Sequence, residues 1–230
     1  MSASPSRPEG VSVARARVVT VGGPVRVSAA GTPRRLPHDE IVVRQGDPLE
    51  CLYLVTSGVV RISSVTREGR EVVVGLLGAG DLFGESALLG QPSPVQARAV
   101  GTTDLVVLPL AHVRDVLRHH PSTAEELLRL VATRLHRTSR ALEEALTGDL
   151  PTRLSSRLRD LADAHGVPDR DGVRIRVPLT QEELARMVGA TREAVNRTLA
   201  GLAARGLVAS RDRTVVIRDP AALDDASITS

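Results

Sequence analysis

The chain has 230 residues, with 30 basic residues, 27 acidic residues and a formal net charge of +3. It lacks the run of about 18 apolar residues that a membrane-spanning helix needs, and all of its basic residues are arginine, which excludes lysine-dependent chemistry such as a Schiff base. A single cysteine, Cys51, excludes an internal disulfide and four-cysteine metal sites, and with no apolar signal sequence at the start we expect a cytoplasmic protein without a membrane partner.

The first half of the chain predicts a short arm and then a β domain. Residues 1–24 are rich in Ser, Pro, Arg and Val without any period, and we interpret them as a mobile arm. Over residues 25–120, short runs of Val and Ile alternate with glycines such as Gly58 and Gly69, which are typical of turns. Strands at this close spacing predict a β sandwich or barrel, closed by a short helix over 111–119.

A long helix is predicted over residues 121–147. It begins at Pro121 and shows a capping-box pattern at Thr123 and Glu126, or at the pair one residue earlier. A heptad seam follows one side of this helix and predicts a self-pairing coiled coil through Leu128, Val131, Leu135, Thr138, Leu142 and Ala145. The alternative is that the same stripe packs on the β domain of its own chain. Residues 148–150 break the helix and predict a hinge.

A second domain is predicted over residues 151–220, with a tail at 221–230. Its first helix should end near Gly166, and the segment VPDRDGVRIRVP after it predicts a small hairpin. The segment LVASRDRTVVIRD predicts a second hairpin close to the end of the domain. The domain is therefore expected to combine short helices with two β hairpins.

Two short helices joined by a glycine lie between these hairpins, in LTQEELARMVGATREAVNRTLAGLAARGL. Thr180 and Glu183 match a capping box that would start the first helix at Gln181, and Gly189 would end it in a left-handed turn. Thr191 can cap the second helix. Two helices joined in this way are the helix-turn-helix pattern.

The second helix of this pair has one apolar and one polar face. The polar face carries four side chains at its N-terminal end: Arg192, Glu193, Asn196 and Arg197. In a helix-turn-helix this end enters the major groove, where arginine can bond guanine O6 and N7 and glutamate can accept from cytosine N4. An ordinary solvated face is the alternative, but the capped helix before it and the hairpin, or wing, after it favour DNA reading.

The segment GATREAVNR with its short wing, behind a glycine-punctuated β domain with FGE near its end, resembles the Crp/Fnr family of bacterial transcription regulators over about residues 33–218. The resemblance implies an α+β fold with an N-terminal antiparallel β jelly-roll effector domain of the cyclic-nucleotide-binding type, a dimerisation helix and a winged helix-turn-helix. It implies a homodimer on a twofold site with TGTGA-like half-sites, and Arg192, Glu193 and Arg197 match the family's recognition positions. Thr180 and Thr191 are further expected DNA contacts, and RNA polymerase is an expected partner.

The resemblance also implies an effector pocket. Gly84 and Glu85 match the family's Gly-Glu pair, with Ser86 beside them, and the glutamate would accept a hydrogen bond from a ribose hydroxyl. Thr138 and Ser139 match the polar pair that meets adenine in members that bind cyclic AMP.

The arginine that should meet the cyclic phosphate in that pocket does not match. Val95 stands at its position, and Arg98 lies three residues further on, where an extended strand turns its side chain to the other face. A buried phosphate without a cation is costly, so we expect weak or no binding of cyclic AMP.

Other chemistries find less support in the sequence. The segment GESALLG differs from a nucleophile elbow because Leu88 stands where glycine is needed, so we expect no enzyme. No spacing typical of metal ligands is present. A DNA-binding architectural protein that uses the same dimer without an effector is an alternative that the sequence leaves open.

Overall fold

The structure, a computed structural model, describes residues 31–211 and 213–225, so the predicted arm at 1–24 lies outside the described residues. Its first half is an antiparallel sheet of strands β1 (Thr32–Leu36), β2 (Ile41–Val43), β3 (Cys51–Val65), β4 (Glu71–Leu77), β5 (Leu82–Phe83) and β6 (Gln96–Pro109). The strand order is β1-β6-β3-β4, while β2 also pairs with β6 and β5 with β3. The α+β fold class predicted from the sequence is confirmed.

The long strands β3 and β6 bend within their lengths. Gly58 lies inside β3 with φ 80°, where the pairing register with β6 shifts, and Gly101 bends β6 with φ 75°. A Cβ at Gly58 would stand 2.5 Å from the carbonyl oxygen of Thr102. The prediction of a turn at Gly58 is therefore wrong, because the glycine forms a bulge in one continuous strand. The strands enclose a core that includes Leu36, Val55, Val60, Phe83 and Leu105.

Three helices follow the sheet: α1 (Leu110–His119), α2 (Pro121–Thr147) and α3 (Leu150–His165). The capping box predicted for α2 is wrong, because His120 is the N-cap residue and makes no side-chain bond, while Thr123 already lies within the first turn. Leu150 is the first residue of α3, which Asp149 caps by accepting from the backbone N–H of Thr152. The break between the two helices is thus one residue shorter than the predicted hinge at 148–150.

The C-terminal part contains β7 (Gly166–Asp169), β8 (Gly172–Ile175), α4 (Gln181–Val188), α5 (Arg192–Ala204), β9 (Val208–Arg211), β10 (Thr214–Ile217) and α6 (Pro220–Asp225). Both predicted hairpins form, in a sheet of order β7-β8-β10-β9. The prediction of a tail from residue 221 is wrong, because α6 continues the domain and its Leu223 is fully buried in the core.

The C-terminal part packs against the outer side of the β domain. His165 at the end of α3 is buried, and its Nε2 donates to the carbonyl oxygen of Leu76 in β4 at 3.0 Å. Burial lowers the pKa of His165, although nearby Asp81 opposes this effect, so the imidazole is favoured in its neutral form. A second link joins Arg186 of α4 to Glu71 of β4, with 2.9 Å between guanidinium and carboxylate. These contacts fix how the helix-turn-helix sits on the β domain.

Candidate nucleic-acid interface and effector region

The first helix of the helix-turn-helix, α4, begins with the predicted capping box. The Thr180 hydroxyl accepts from the backbone N–H of Glu183 at 3.1 Å and donates to its Oε2 at 2.9 Å. The same Oε2 accepts from the backbone N–H of Thr180, and Glu183 is buried. The hydroxyl proton of Thr180 is thus already bonded in the free protein, and its contact with DNA stays a prediction.

The turn between the two helices is formed by Gly189, Ala190 and Thr191. Gly189 has φ 64°, the left-handed conformation expected for it, and closes α4. The Thr191 hydroxyl accepts from the backbone N–H of Ala194 at 3.2 Å and so caps α5. The prediction of a helix-turn-helix with these two caps is confirmed, and the caps set where α5 starts and which side chains face outward.

The two faces of α5 separate as predicted. Val195, Leu199 and Leu202 are buried in the domain core. The four side chains predicted to read DNA are all exposed to solvent: Arg192, Glu193, Asn196 and Arg197. The N-terminal half of α5 therefore offers two guanidinium groups, a carboxylate and an amide on one accessible face.

The charges on this face are available for bonding. Glu193 has a pKa below its usual value because its own backbone N–H and the Thr191 side chain hydrogen-bond to it, with Arg192 and Arg197 contributing, so it stays ionised. Within the described part of the chain, neither Arg192 nor Arg197 makes a hydrogen bond or an ion pair. A free guanidinium presents its planar fork of donors to a bidentate acceptor.

Sequence reasoning missed two further contacts in this domain, one made by Gln181 and one by Arg213. The Gln181 Nε2 donates to the Oδ1 of Asn196 at 3.0 Å, which joins the start of α4 to α5. At the tip of the wing, Arg213 is exposed with φ 62°, and its carbonyl oxygen accepts from the backbone N–H of Leu179. No local pattern could have indicated these contacts, because each depends on how separate elements cross.

The predicted effector region contains an ion pair to the long helix. Gly84 precedes a short 3₁₀ helix over Glu85–Leu89 and adopts φ 88°. The Glu85 carboxylate accepts from Arg134 of α2 at 2.9 Å, and the same guanidinium donates to the carbonyl oxygen of Leu82 at 2.5 Å. Ser86 lies half-buried in the same short helix. The carboxylate that the resemblance assigns to a ribose is thus engaged by Arg134, a residue that sequence reasoning missed.

The two residues considered for the phosphate side of this region, Val95 and Arg98, both have other contacts. Val95 packs against the apolar core of the β domain, and its carbonyl oxygen accepts from the buried Ser93 hydroxyl at 2.7 Å. The Arg98 guanidinium does not take the place of the missing arginine, because it donates to the Asp39 carboxylate at 2.8 Å. Neither residue supplies the cation that a buried phosphate needs.

On the long helix, the polar pair expected to face adenine is exposed. Thr138 and Ser139 both lie on the solvent side of α2. The Thr138 hydroxyl donates to the carbonyl oxygen of Arg134 at 2.9 Å, one turn earlier in the same helix. Its oxygen can still accept a hydrogen bond. Effector binding by this pair stays a prediction.

The heptad seam of α2 is not covered by its own chain. Leu128, Leu135 and Leu142 are 69%, 65% and 61% exposed, and Val131 is 39% exposed. The neighbouring Leu127 instead packs on the β domain. The alternative in which the stripe packs on its own β domain is therefore wrong, and pairing with a second copy stays a prediction.

Metal-binding and membrane-spanning features were not found in the described part of the chain. Within residues 31–211 and 213–225, no group of three His, Cys, Asp or Glu side chains is arranged to hold a metal ion. None of the helices over the same residues is long and apolar enough to cross a bilayer.

Comparisons with known proteins match both halves of the chain. The family described as "Cyclic nucleotide-binding domain" matches residues 33–120, and the family described as "Crp-like helix-turn-helix domain" matches residues 152–226. A "CRP-like cAMP-activated global transcriptional regulator" of Mycobacterium tuberculosis is 35% identical over 191 residues, which cover 81% of this chain and 84% of that protein. A "Global nitrogen regulator" of Synechocystis is 32% identical, over 77% of this chain and 80% of that protein.

A solved structure of similar fold is that of a CRP-family transcriptional regulator from Thermus thermophilus. It is 28% identical, with a TM-score of 0.65, and the match covers 86% of this chain and 97% of that one. Of the two similar sequences above, only the first is named for cyclic AMP, so similarity at this level does not decide the effector.

Proposed function

Because the chain belongs to the Crp/Fnr family of transcription regulators, we propose that it is a sequence-specific DNA-binding regulator that acts as a homodimer. The observation that carries this proposal is the exposed face of α5, where Arg192, Glu193 and Arg197 stand together at the end that enters the major groove. The relatives with which it shares this architecture are transcription regulators and not enzymes.

The chemistry of this face suits a G·C-containing half-site. Each arginine can bond guanine O6 and N7 together, and the ionised Glu193 can accept from cytosine N4. Two copies related by a twofold axis would place two such helices about 34 Å apart, or one turn of DNA. From the resemblance to the family, we propose a twofold site with TGTGA-like half-sites, and this chemistry is compatible with such a site.

Dimerisation would use the exposed seam of α2, and two residues separate α2 from α3. The contacts of His165 and Arg186 with β4 hold one arrangement of the DNA-binding domain. An effector bound to the β domain could control DNA binding only if it favoured one such arrangement over another. RNA polymerase is the partner through which a regulator bound near a promoter would act.

The proposal is tested by selecting bound DNA from a random duplex pool with the full chain. We expect enrichment of a twofold sequence whose half-sites are TGTGA-like and are centred one helical turn apart. Selections repeated with candidate nucleotides in the buffer would report effector control as a change in yield. Recovery of unenriched DNA under all of these conditions would overturn the proposal.

Cyclic AMP itself is expected to bind weakly or not at all. Val95 offers the phosphate no cation and Arg98 is held by Asp39, so the charge would be buried unpaired. Isothermal titration of the full chain with cyclic AMP should therefore show little heat. The matched variant Val95→Arg, checked for folding by circular dichroism, should bind more tightly. Sub-micromolar binding by the unmodified chain would contradict this interpretation of position 95.

A second candidate function follows from the same observation at Val95. If no effector binds, the dimer would bind DNA at all times and serve an architectural role. Transcription from a selected promoter, measured with and without the protein, separates the two functions: a regulator changes the yield of transcript, whereas an architectural protein leaves it unaltered.

A further inference from the structure

One bond distinguishes Asn196 from its neighbours on the exposed face of α5. Among the described residues of that face, Asn196 has a side-chain bond to another helix. Its Oδ1 accepts from the Gln181 Nε2 at 3.0 Å. Gln181 is the first residue of α4, directly after its cap, so its position is set by the buried Thr180–Glu183 pair. The backbone position of the residue that bonds to Asn196 is therefore fixed by the start of α4.

This bond orients the amide of Asn196. An asparagine side chain has one end that accepts hydrogen bonds and one end that donates them. Because Gln181 donates to Oδ1, the Nδ2 group is the free end, and within the described chain it donates to no other group. In this arrangement Asn196 offers two N–H donors to the groove.

We propose that Gln181 is a positioning residue that makes Asn196 a hydrogen-bond donor to a base in the major groove. This inference rests on the proposed function, since it concerns how the same face reads DNA. At the base position that faces Asn196, guanine and thymine offer the O6 and O4 acceptors and should be favoured. Cytosine offers only its N4 donor, which a donor cannot bond. Adenine would make one hydrogen bond instead of the two that it makes with a freely turning asparagine. Both bases should therefore be disfavoured.

The hydrogen bond between Gln181 and Asn196 should affect base preference only when DNA is bound. In the free protein both amides are accessible to water, which can replace any bond that they lose. A base edge in the groove displaces that water, and a donor facing a donor is then left unpaired. The orientation set by Gln181 should therefore act on base preference rather than on stability of the fold.

The variant Gln181→Glu tests this assignment. A carboxylate can only accept, so the bond can re-form only if Asn196 rotates and donates to it, which turns Oδ1 toward the groove. We expect the preference at this one position to reverse from guanine or thymine to adenine or cytosine, by about tenfold. An acidic residue in the first turn of a helix is favourable, so the variant should remain folded.

Two further variants complete the experiment, which is selection from a random pool with each full-length protein. Asn196→Ala identifies the affected position as the one where preference disappears. Gln181→Leu removes the bond without offering an acceptor and should weaken preference at that position without reversing it. The positions read by Arg192 and Arg197 should be unchanged in all three variants.

The outcomes separate this inference from the function on which it rests. Identical sequences from the unmodified chain and both Gln181 variants would overturn the positioning role, and so would a uniform loss at every position, which would indicate a phosphate contact. A failure of the unmodified chain to select any sequence would instead overturn the proposed function.

Discussion

Replacing Arg192 or Arg197 by alanine should weaken binding to the selected twofold site by about tenfold or more per half-site, with a much smaller loss on random DNA. Each good bidentate contact discriminates between bases by about 1–3 kcal/mol, and a homodimer makes each contact twice. Both guanidinium groups are exposed and form no ion pair within the described part of the chain, so no internal contact has to be broken first. Fluorescence anisotropy with selected and scrambled duplexes, at one fixed salt concentration, measures both affinities.

The conservative substitution Arg192→Lys provides a matched control. Lysine keeps the charge and therefore most of the attraction to phosphates, but it lacks the planar fork that bonds guanine O6 and N7. Specificity should fall while binding to scrambled DNA is kept. Removal of an exposed charge from the β7–β8 turn by Arg170→Ala should leave specificity unchanged. Equal losses on both duplexes for Arg192→Ala and Arg197→Ala would show that these residues bind phosphate and do not read bases.

The substitution Leu135→Asp is expected to convert the dimer into monomers. Leu135 is 65% exposed in the single chain, so aspartate at this position should not disturb the fold of the protomer. In a paired seam the same residue would meet its counterpart across the twofold axis, where two carboxylates would be desolvated beside each other. Sedimentation velocity at micromolar concentration measures the change, and binding to the twofold site should fall with it.

Thr133→Asp is the control for this substitution. Thr133 is also exposed on α2 but lies two residues before Leu135, which places it on the opposite side of the helix. It adds the same charge to the same helix and should leave the dimer intact. A Leu135→Asp protein that still sediments as a dimer would show that α2 does not pair through this seam.

In the helix-turn-helix, features whose causes lie within a few residues were predicted correctly. The capping box of Thr180 and Glu183, the left-handed Gly189 and the alternating faces of α5 all depend on neighbours along the chain. A hydrogen bond across three residues or a repeat of 3.6 residues leaves a visible pattern in the sequence. This is why the candidate DNA-reading face could be located before its structure was known.

Gly58 shows where local patterns stop being informative. A glycine between two valine-rich runs is compatible with a turn or with a bulge in one strand, and the same residue types favour both. The bulge follows from the close approach of the Thr102 carbonyl oxygen, which belongs to a different strand. The helix at Pro220–Asp225 is a similar case, because Leu223 becomes a core residue only where α3 lies against it.

The amino-acid sequence alone specified the helix-turn-helix and the heptad stripe of α2, because each is a property of residue identity and short spacing. That Val95 replaces a phosphate-binding arginine follows instead from the resemblance to the family. Folding in three dimensions settled which partners those residues meet: Arg134 on Glu85, Arg186 on Glu71 and Gln181 on Asn196. These pairs lie 49, 115 and 15 residues apart, and no local period connects them. Such contacts arise from the way that packed elements cross, which depends on the whole core and not on any one segment.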